Sequence, residues 1–182
     1  MRNLIITQNM TLDGSVEMLD DWFDPQLQDS QLLAETHRQD ADSDALLLGR
    51  QTFEDFRSYW PQQTDDTTGI TAYLNQVHKY VVSSSMSDPA WSNSTVLSGD
   101  WRAAVRELKQ RDGKDITVTG SITLCHALID AGLVDEYRLS VYPAVQARGR
   151  ELFPTGNTGL RLLGTPQSYP SGIVLLRYQP VR

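Results

Sequence analysis

The sequence predicts an α/β fold, a mostly parallel sheet flanked by helices on both faces and closed by an antiparallel C-terminal edge. Short β-prone runs alternate with helical segments as far as Leu133, which is the pattern of parallel strands joined by crossover helices. Beyond Asp135 strand follows strand, as hairpin-connected antiparallel strands do. Two of the runs end on a glycine, Gly49 and Gly120, with a helical segment directly after each. With 182 residues, 40% of them hydrophobic, the chain can bury one sizeable core, so residues 1–182 are expected to form a single domain.

The elements follow in order. Leu4 to Leu12 is extended, with Leu4, Ile6, Met10 and Leu12 on one face, and stops at the turn pair Asp13-Gly14. Asp24-Pro25 reads as an N-cap with proline at the first helical position, so a helix is expected from Pro25 to about Arg38. A polar tract, Gln39 to Ser43, leads into the strand that starts at Asp44 and ends at Gly49. Thr52 to Phe56 reads as a helix, stopped by Tyr59-Trp60-Pro61, and a polar loop precedes a short helix over Thr71 to Gln76. Strands follow at Lys79 to Val82 and Thr95 to Leu97. Trp101, Ala104, Val105 and Leu108 then fall at helical spacing between Asp100 and Arg111. The strand Asp115 to Thr119 runs into Gly120-Ser121 and a helix striped by Ile122, Cys125, Leu128 and Ile129, with Gly132 as its C-cap. Tyr137, Leu139 and Val141 alternate with polar partners, as in a strand with one wetter face. After a loop from Pro143 to Pro154, Leu160 to Leu163 and Ile173 to Tyr178 read as antiparallel strands about a turn at Pro170-Ser171-Gly172.

Charge and inventory exclude several functions. The net charge of −7 is spread along the chain, and phosphate-driven binding to nucleic acid or an anionic membrane surface needs a basic face. The single cysteine rules out an intrachain disulfide and suits a reducing compartment; with no secretory pattern in the first residues and no run of membrane-spanning length, a cytoplasmic protein is expected. His37, His78 and His126 are scattered, so no metal site is expected, and there is no Gly-x-Ser-x-Gly elbow of a hydrolase.

Ligands of an open parallel sheet bind at the carboxyl ends of its strands. Three of those ends here suit anions: Gly49-Arg50-Gln51-Thr52, Ser83-Ser84-Ser85 and Gly120-Ser121. A helix start offers free backbone N–H groups, glycine lets a ligand approach the chain, and Arg50 adds a charged fork. Each feature alone also suits an ordinary loop or cap; together they describe a nucleotide with separated phosphates.

The sequence resembles the dihydrofolate reductase-like superfamily, and more closely the reductase domain of bacterial bifunctional riboflavin-biosynthesis deaminase-reductases. The resemblance runs through Thr11-Leu12-Asp13-Gly14, Leu48 to Phe53, Phe56 to Trp60, Val82-Ser83-Ser84, Val118 to Ser121, Gly132 to Glu136 and Gly149 to Phe153. It implies an NADPH-dependent reductase, with Arg50, Ser83 and Ser84 near the adenosine 2′-phosphate, Gly49 and Thr52 at the phosphate-binding turn, and Gly120 and Ser121 at the pyrophosphate. It places the nicotinamide near the end of the first strand, makes Asp13 the candidate catalytic acid, and suggests a homodimer. The chain departs from the family in carrying Ser84 where relatives often have arginine, and Gln146-Ala147-Arg148-Gly149 where Leu-Gly-x-Gly is usual. No His-x-Glu or Cys-x-x-Cys zinc deaminase signature is present. The implied activity is reduction of a small heterocycle, as by 5-amino-6-(5-phosphoribosylamino)uracil reductase, for whose ribose phosphate Arg57, Arg148 and Arg150 are candidates. Dihydrofolate reduction, or nucleotide binding without turnover, are the alternatives.

Overall fold

The structure is a computed structural model that describes residues 1–25, 27, 29–153 and 159–181. Its framework is one nine-stranded sheet: β1 (Leu4–Thr11), β2 (Ser43–Gly49), β3 (His78–Val82), β4 (Ser94–Leu97), β5 (Asp115–Gly120), β6 (Glu136–Tyr142), β7 (Leu160–Leu162), β8 (Gln167–Ser168) and β9 (Val174–Pro180). The strand order is β4-β3-β2-β5-β1-β6-β9-β7, with β8 pairing β9. Strands β4 through β6 along that order are parallel, and the pairs that β9 makes with β6, β7 and β8 are antiparallel. The expected α/β architecture with an antiparallel C-terminal edge is the one observed.

The helices are α1 (Ser30–Ala41), α2 (Arg50–Tyr59), α3 (Ile70–Gln76), α4 (Trp101–Gln110) and α5 (Ile122–Asp130). Strand β2 is buried on both sides, and its alternation sorts the core. Ala45 and Leu47 join a cluster with Val105 and Leu108 of α4 and Leu124, Cys125 and Leu128 of α5. Leu46 and Leu48 join Phe53 of α2, Leu74 of α3 and the buried Trp60 on the opposite face. The same alternation continues on either side: Leu4 and Ile6 of β1, Ile116 and Val118 of β5, and Tyr137 and Leu139 of β6 all point to the α4–α5 face.

Several boundaries differ from the sequence-based expectation; α1 runs on to Ala41, through part of the tract Gln39 to Ser43 that was expected to be a connection. Helix α1 begins at Ser30 because Asp29, five residues after Asp24, is its N-cap: the Asp29 carboxylate accepts the backbone N–H groups of Gln31 and Leu32, each at 3.1 Å. Gln26 and Gln28 of the expected helix lie outside the described residues, as does Pro154 at the end of the expected loop. Helix α2 starts two residues earlier than Thr52, with Gly49 as N-cap and Arg50 in its first turn. The turn at residues 170–172 joins β8 to β9, and β7 reaches β9 from its other side. The stop at Gly132 is as expected. This residue has φ +62°, and the backbone N–H groups of Gly132 and Leu133 return to the carbonyls of Ile129 and Leu128.

Candidate active site

Strands β3, β2 and β5 lie side by side and parallel, so their carboxyl ends put Ser83-Ser84, Gly49-Arg50 and Gly120-Ser121 on one edge of the sheet. Two of these turns are in contact. A Cβ built on Gly49 would collide with Ser121, and one on Gly120 would stand 2.8 Å from Thr52 Oγ1, so neither position has room for a side chain. Both turns open helices. Ser121 caps α5 by accepting the N–H of Leu124, whereas Gly49 offers α2 no side-chain cap and leaves first-turn N–H groups open to an incoming anion.

Beside them is a cavity of about 420 Å³ lined by Arg50, Ser83, Ser84, Ser85, Leu97 and Trp101, among others. Arg50 is half exposed and pairs with Glu54 one turn along α2 at 3.1 Å, an exchangeable surface pair that a phosphate could displace. The Ser83 hydroxyl accepts the N–H groups of Ser85 and Met86, which holds the loop after β3 in a tight turn and leaves the hydroxyl proton to donate. Trp101 opens α4 with the Arg102 guanidinium 4.4 Å from its ring centroid. Its spacing had placed it with the helix stripe; standing at the N-terminus, next to the strand-end loops, was the signal that it also faces a cavity.

A second cavity, of about 280 Å³, lies on the α1–α2–α3 face. Its floor is the polar side of three strands: Thr7 and Asn9 of β1, Thr117 and Thr119 of β5, Arg138 and Ser140 of β6. Its roof is α1, none of whose residues is buried, with Thr36, Gln39 and Asp40 facing inward. Tyr73 of α3 closes one side and Phe23 and Tyr142 the mouth, where Trp22, Phe23 and Tyr142 meet edge to face with ring centroids 5.2–6.1 Å apart. Burial pushes the Asp40 carboxyl up to about 6, His37 offsetting part of this. Burial also raises the Tyr73 phenol, with Asp40 adding to the effect.

Asp13 is placed at the end of β1 as expected, but it is exposed and occupied. Its two carboxylate oxygens accept the backbone N–H groups of Gln146 at 3.2 Å and Ala147 at 2.7 Å. The Thr11 hydroxyl, with these N–H groups, holds its carboxyl below the usual carboxylate range. The proton-donor role therefore has no support in this geometry, which is that of a loop anchor. The departure at residues 146–149 is also accounted for. Ala147, at the place of the first glycine in the Leu-Gly-x-Gly pattern, stands in the left-handed region, φ +55°. Gln146 is buried and bridges two loops: its Oε1 accepts from Leu19 N and Trp22 Nε1, and its Nε2 donates to Ser15 Oγ and to the Glu17 and Arg148 carbonyls. Asp29, the N-cap carboxylate of α1 and a lining residue of the cavity under that helix, is spent on the α1 cap and on Ser171 N at 2.9 Å.

Among the described residues no group of three or more His, Cys, Asp or Glu side chains could hold a metal ion, and no helix is long and apolar enough to cross a membrane.

A mixed sheet with this strand order and a cleft at its carboxyl edge defines a dihydrofolate reductase-like protein. The structure superimposes on Enterococcus faecalis dihydrofolate reductase complexed with NADP(H) and RAB-propyl, with a TM-score of 0.65 at 13% identity, covering 99% of this chain and 97% of that one. A Shewanella sp. PV-4 protein named for riboflavin biosynthesis gives a TM-score of 0.73 at 17% identity, covering 99% of both chains. The chain belongs to the RibD C-terminal domain family, which matches residues 2–174. It is also 29% identical over 186 residues to the uncharacterised YyaP protein of Bacillus subtilis strain 168, covering 97% of this chain and 94% of that protein.

Proposed function

We propose that the protein is an NADPH-dependent reductase that passes a hydride to a small heterocyclic substrate in the cavity beneath α1. The observation that carries this reading is the alignment of three anion-suited strand ends, at Ser83, Arg50 and Gly120, along a single edge that leads to β1 and the cavity mouth. Family membership supports the same reading. The residues present fit the cofactor. Arg50, Ser83 and Ser84 would hold the adenosine 2′-phosphate beside Trp101, Thr52 and the open first turn of α2 from Gly49 a phosphate, and Gly120 and Ser121 the pyrophosphate. When bound, NADPH supplies the hydride; the chain positions the acceptor and keeps bulk water out. In this scheme Asp13 and Gln146 hold the loops flanking the end of β1 in place and take no part in proton transfer.

Titrating NADPH into the protein while following tryptophan fluorescence tests the reading, since Trp101 lines the cofactor cavity. Saturable quenching in the micromolar range or below is expected. Arg50→Ala should weaken NADPH by tenfold or more and NADH by less than threefold. Equal losses for the two cofactors remove the 2′-phosphate assignment, and absence of saturable quenching removes the cofactor reading. Steady NADPH oxidation with any member of a pyrimidine and pterin panel distinguishes a reductase from a nucleotide-binding protein without turnover.

A further inference from the structure

The floor of the cavity beneath α1 is polar, and half of it is already engaged within the protein. The Thr117 hydroxyl meets the Ser43 hydroxyl and the Ala45 carbonyl, Thr7 donates to the Val118 carbonyl at 3.5 Å, and Arg138 Nε donates to Glu136 at 2.8 Å. Three floor side chains are left: the Asn9 amide and the Thr119 and Ser140 hydroxyls make no hydrogen bond with any described residue. All three are only partly buried, so a molecule in the cavity can touch them.

Asn9 is the hardest of these to explain as scaffold. It stands in the interior of β1, where asparagine is disfavoured, and it neither makes a turn nor caps a helix. The alternation that sends Leu4 and Ile6 toward α4 and α5 turns Asn9 to the hollow. Pairing of β1 with β6 sets Asn9 beside Ser140, one row nearer the carboxyl edge than Thr7 and Arg138. Tyr142 of the aromatic mouth is two residues beyond Ser140, and on the other neighbouring strand Thr119 directly precedes the Gly120-Ser121 turn. The open polar groups therefore lie at the end of the floor that faces the strand-end turns. An amide there carries no charge but offers an acceptor and N–H donors side by side, so it reads the order of donor and acceptor on a ring. Its complement is a second amide held cis, as in a lactam or imide, and the cavity, about 280 Å³, admits a small ring system that carries one.

We infer that Asn9, assisted by Ser140, is the specificity-determining residue of this cavity: its Oδ1 accepts a ring N–H and its Nδ2 donates to the adjacent ring carbonyl of a neutral lactam or imide. The inference rests on the reductase reading in taking the cavity as the substrate site, and it adds which edge of the ring lies against β1.

Lumazine and 1,3-dimethyllumazine are a matched pair of probes: both keep the two carbonyls and the fused rings, and the second has each N–H of the imide edge replaced by N-methyl. Isothermal titration calorimetry with NADP⁺ present should show lumazine binding about tenfold or more tightly than its dimethyl derivative. In Asn9→Leu, which keeps the volume and removes the amide, that ratio should fall below about threefold while NADPH affinity and the thermal midpoint stay unchanged. A ratio set by the bulk of the methyl groups would persist in the variant. Asn9→Val, β-branched and suited to a strand, is a second variant with the same expectation. The inference is overturned if lumazine does not bind, if the unmodified protein does not distinguish the two probes, or if the distinction survives in the variants. Loss of the reductase reading would register separately: lumazine binding with the Asn9 dependence intact, in a protein that fails to bind NADPH, supports the assignment of Asn9 while removing the cofactor. NADPH oxidation on a ring that lacks the amide edge, with affinity indifferent to Asn9, does the reverse.

Discussion

Strands β1, β5 and β6 present two unlike faces. Toward α4 and α5 they show Leu4, Ile6, Ile116, Val118, Tyr137 and Leu139, packed against helices that bury Val105, Leu108, Cys125 and Leu128. Toward α1 the same strands show Thr7, Asn9, Thr117, Thr119, Arg138 and Ser140, under a helix that buries no residue at all. One face is a close-packed core and the other a hollow with polar walls. Period-two alternation thus lets three strands support the fold on one side and form a binding surface on the other. The comparison also locates the costs: groups that weaken folding, an unsatisfied guanidinium nitrogen and an unpaired half-buried carboxylate, sit on the hollow side.

The contrast can be broken most forcefully from the packed side. Leu128→Ala on α5, where the side chain is fully buried, should lower the urea-unfolding free energy by about 3 kcal/mol. Leu32→Ala on α1, a partly exposed residue facing the cavity, should cost less than about 1 kcal/mol. Equal costs would mean that α1 is packed as tightly as α5.

The next effect has the opposite sign. The folded protein holds the Asp40 carboxyl at about 6 against 3.8 for the free group, so it binds a proton that the unfolded chain has released. Stability from this group is fully present below about pH 4, falls as pH rises toward 6 and stays lost above it. Asp40→Asn should therefore raise stability at pH 8 by roughly 2 kcal/mol, allowing for the partial exposure of the site, and change it little at pH 3.5. Parallel curves of unfolding free energy against pH for the two proteins would show instead that the carboxylate is solvated.

The smallest effect concerns the loop after β6. Ala147→Gly removes a side chain from a left-handed position and should stabilise by about 1 kcal/mol, read as a small rise in Tm. No rise would show that the loop does not hold this conformation in solution.

Much of the scaffold was readable from the chain because it depends on local patterns. The apolar run ending at Gly49, the stripe on α5 and the stop at Gly132 each specify an element by their own composition. The wetter face of β6 was also visible in the alternation around Tyr137, Leu139 and Val141. The hollow was not, since strands and helices far apart in the chain must come together to define it. Asp40 lay in a polar tract that read as a connection, although Leu32, Thr36 and Asp40 recur at helical spacing and could have placed it on one side of α1 with the leucine. The start of that helix was misplaced because two Asp residues compete for the cap, and the choice of Asp29 depends on Ser171, more than a hundred residues away. Asp13 illustrates the reverse limit. Its motif fixed its location, but only the fold shows its oxygens taken by the backbone of residues 146 and 147.

Among the described residues, hydrogen bonds tie helix α1 to the rest of the chain at three places: Asp29 to Ser171 at its start, a ring nitrogen of His37 to the Thr68 carbonyl, 2.6 Å apart, and the Ala41 carbonyl to Lys114 Nζ at 2.7 Å at its end. A segment tethered this sparsely can come loose as a unit while the sheet stays intact. A molecule bound in the hollow would then have two exits, the aromatic mouth and the lifted roof, and its residence time would be governed by the faster of them.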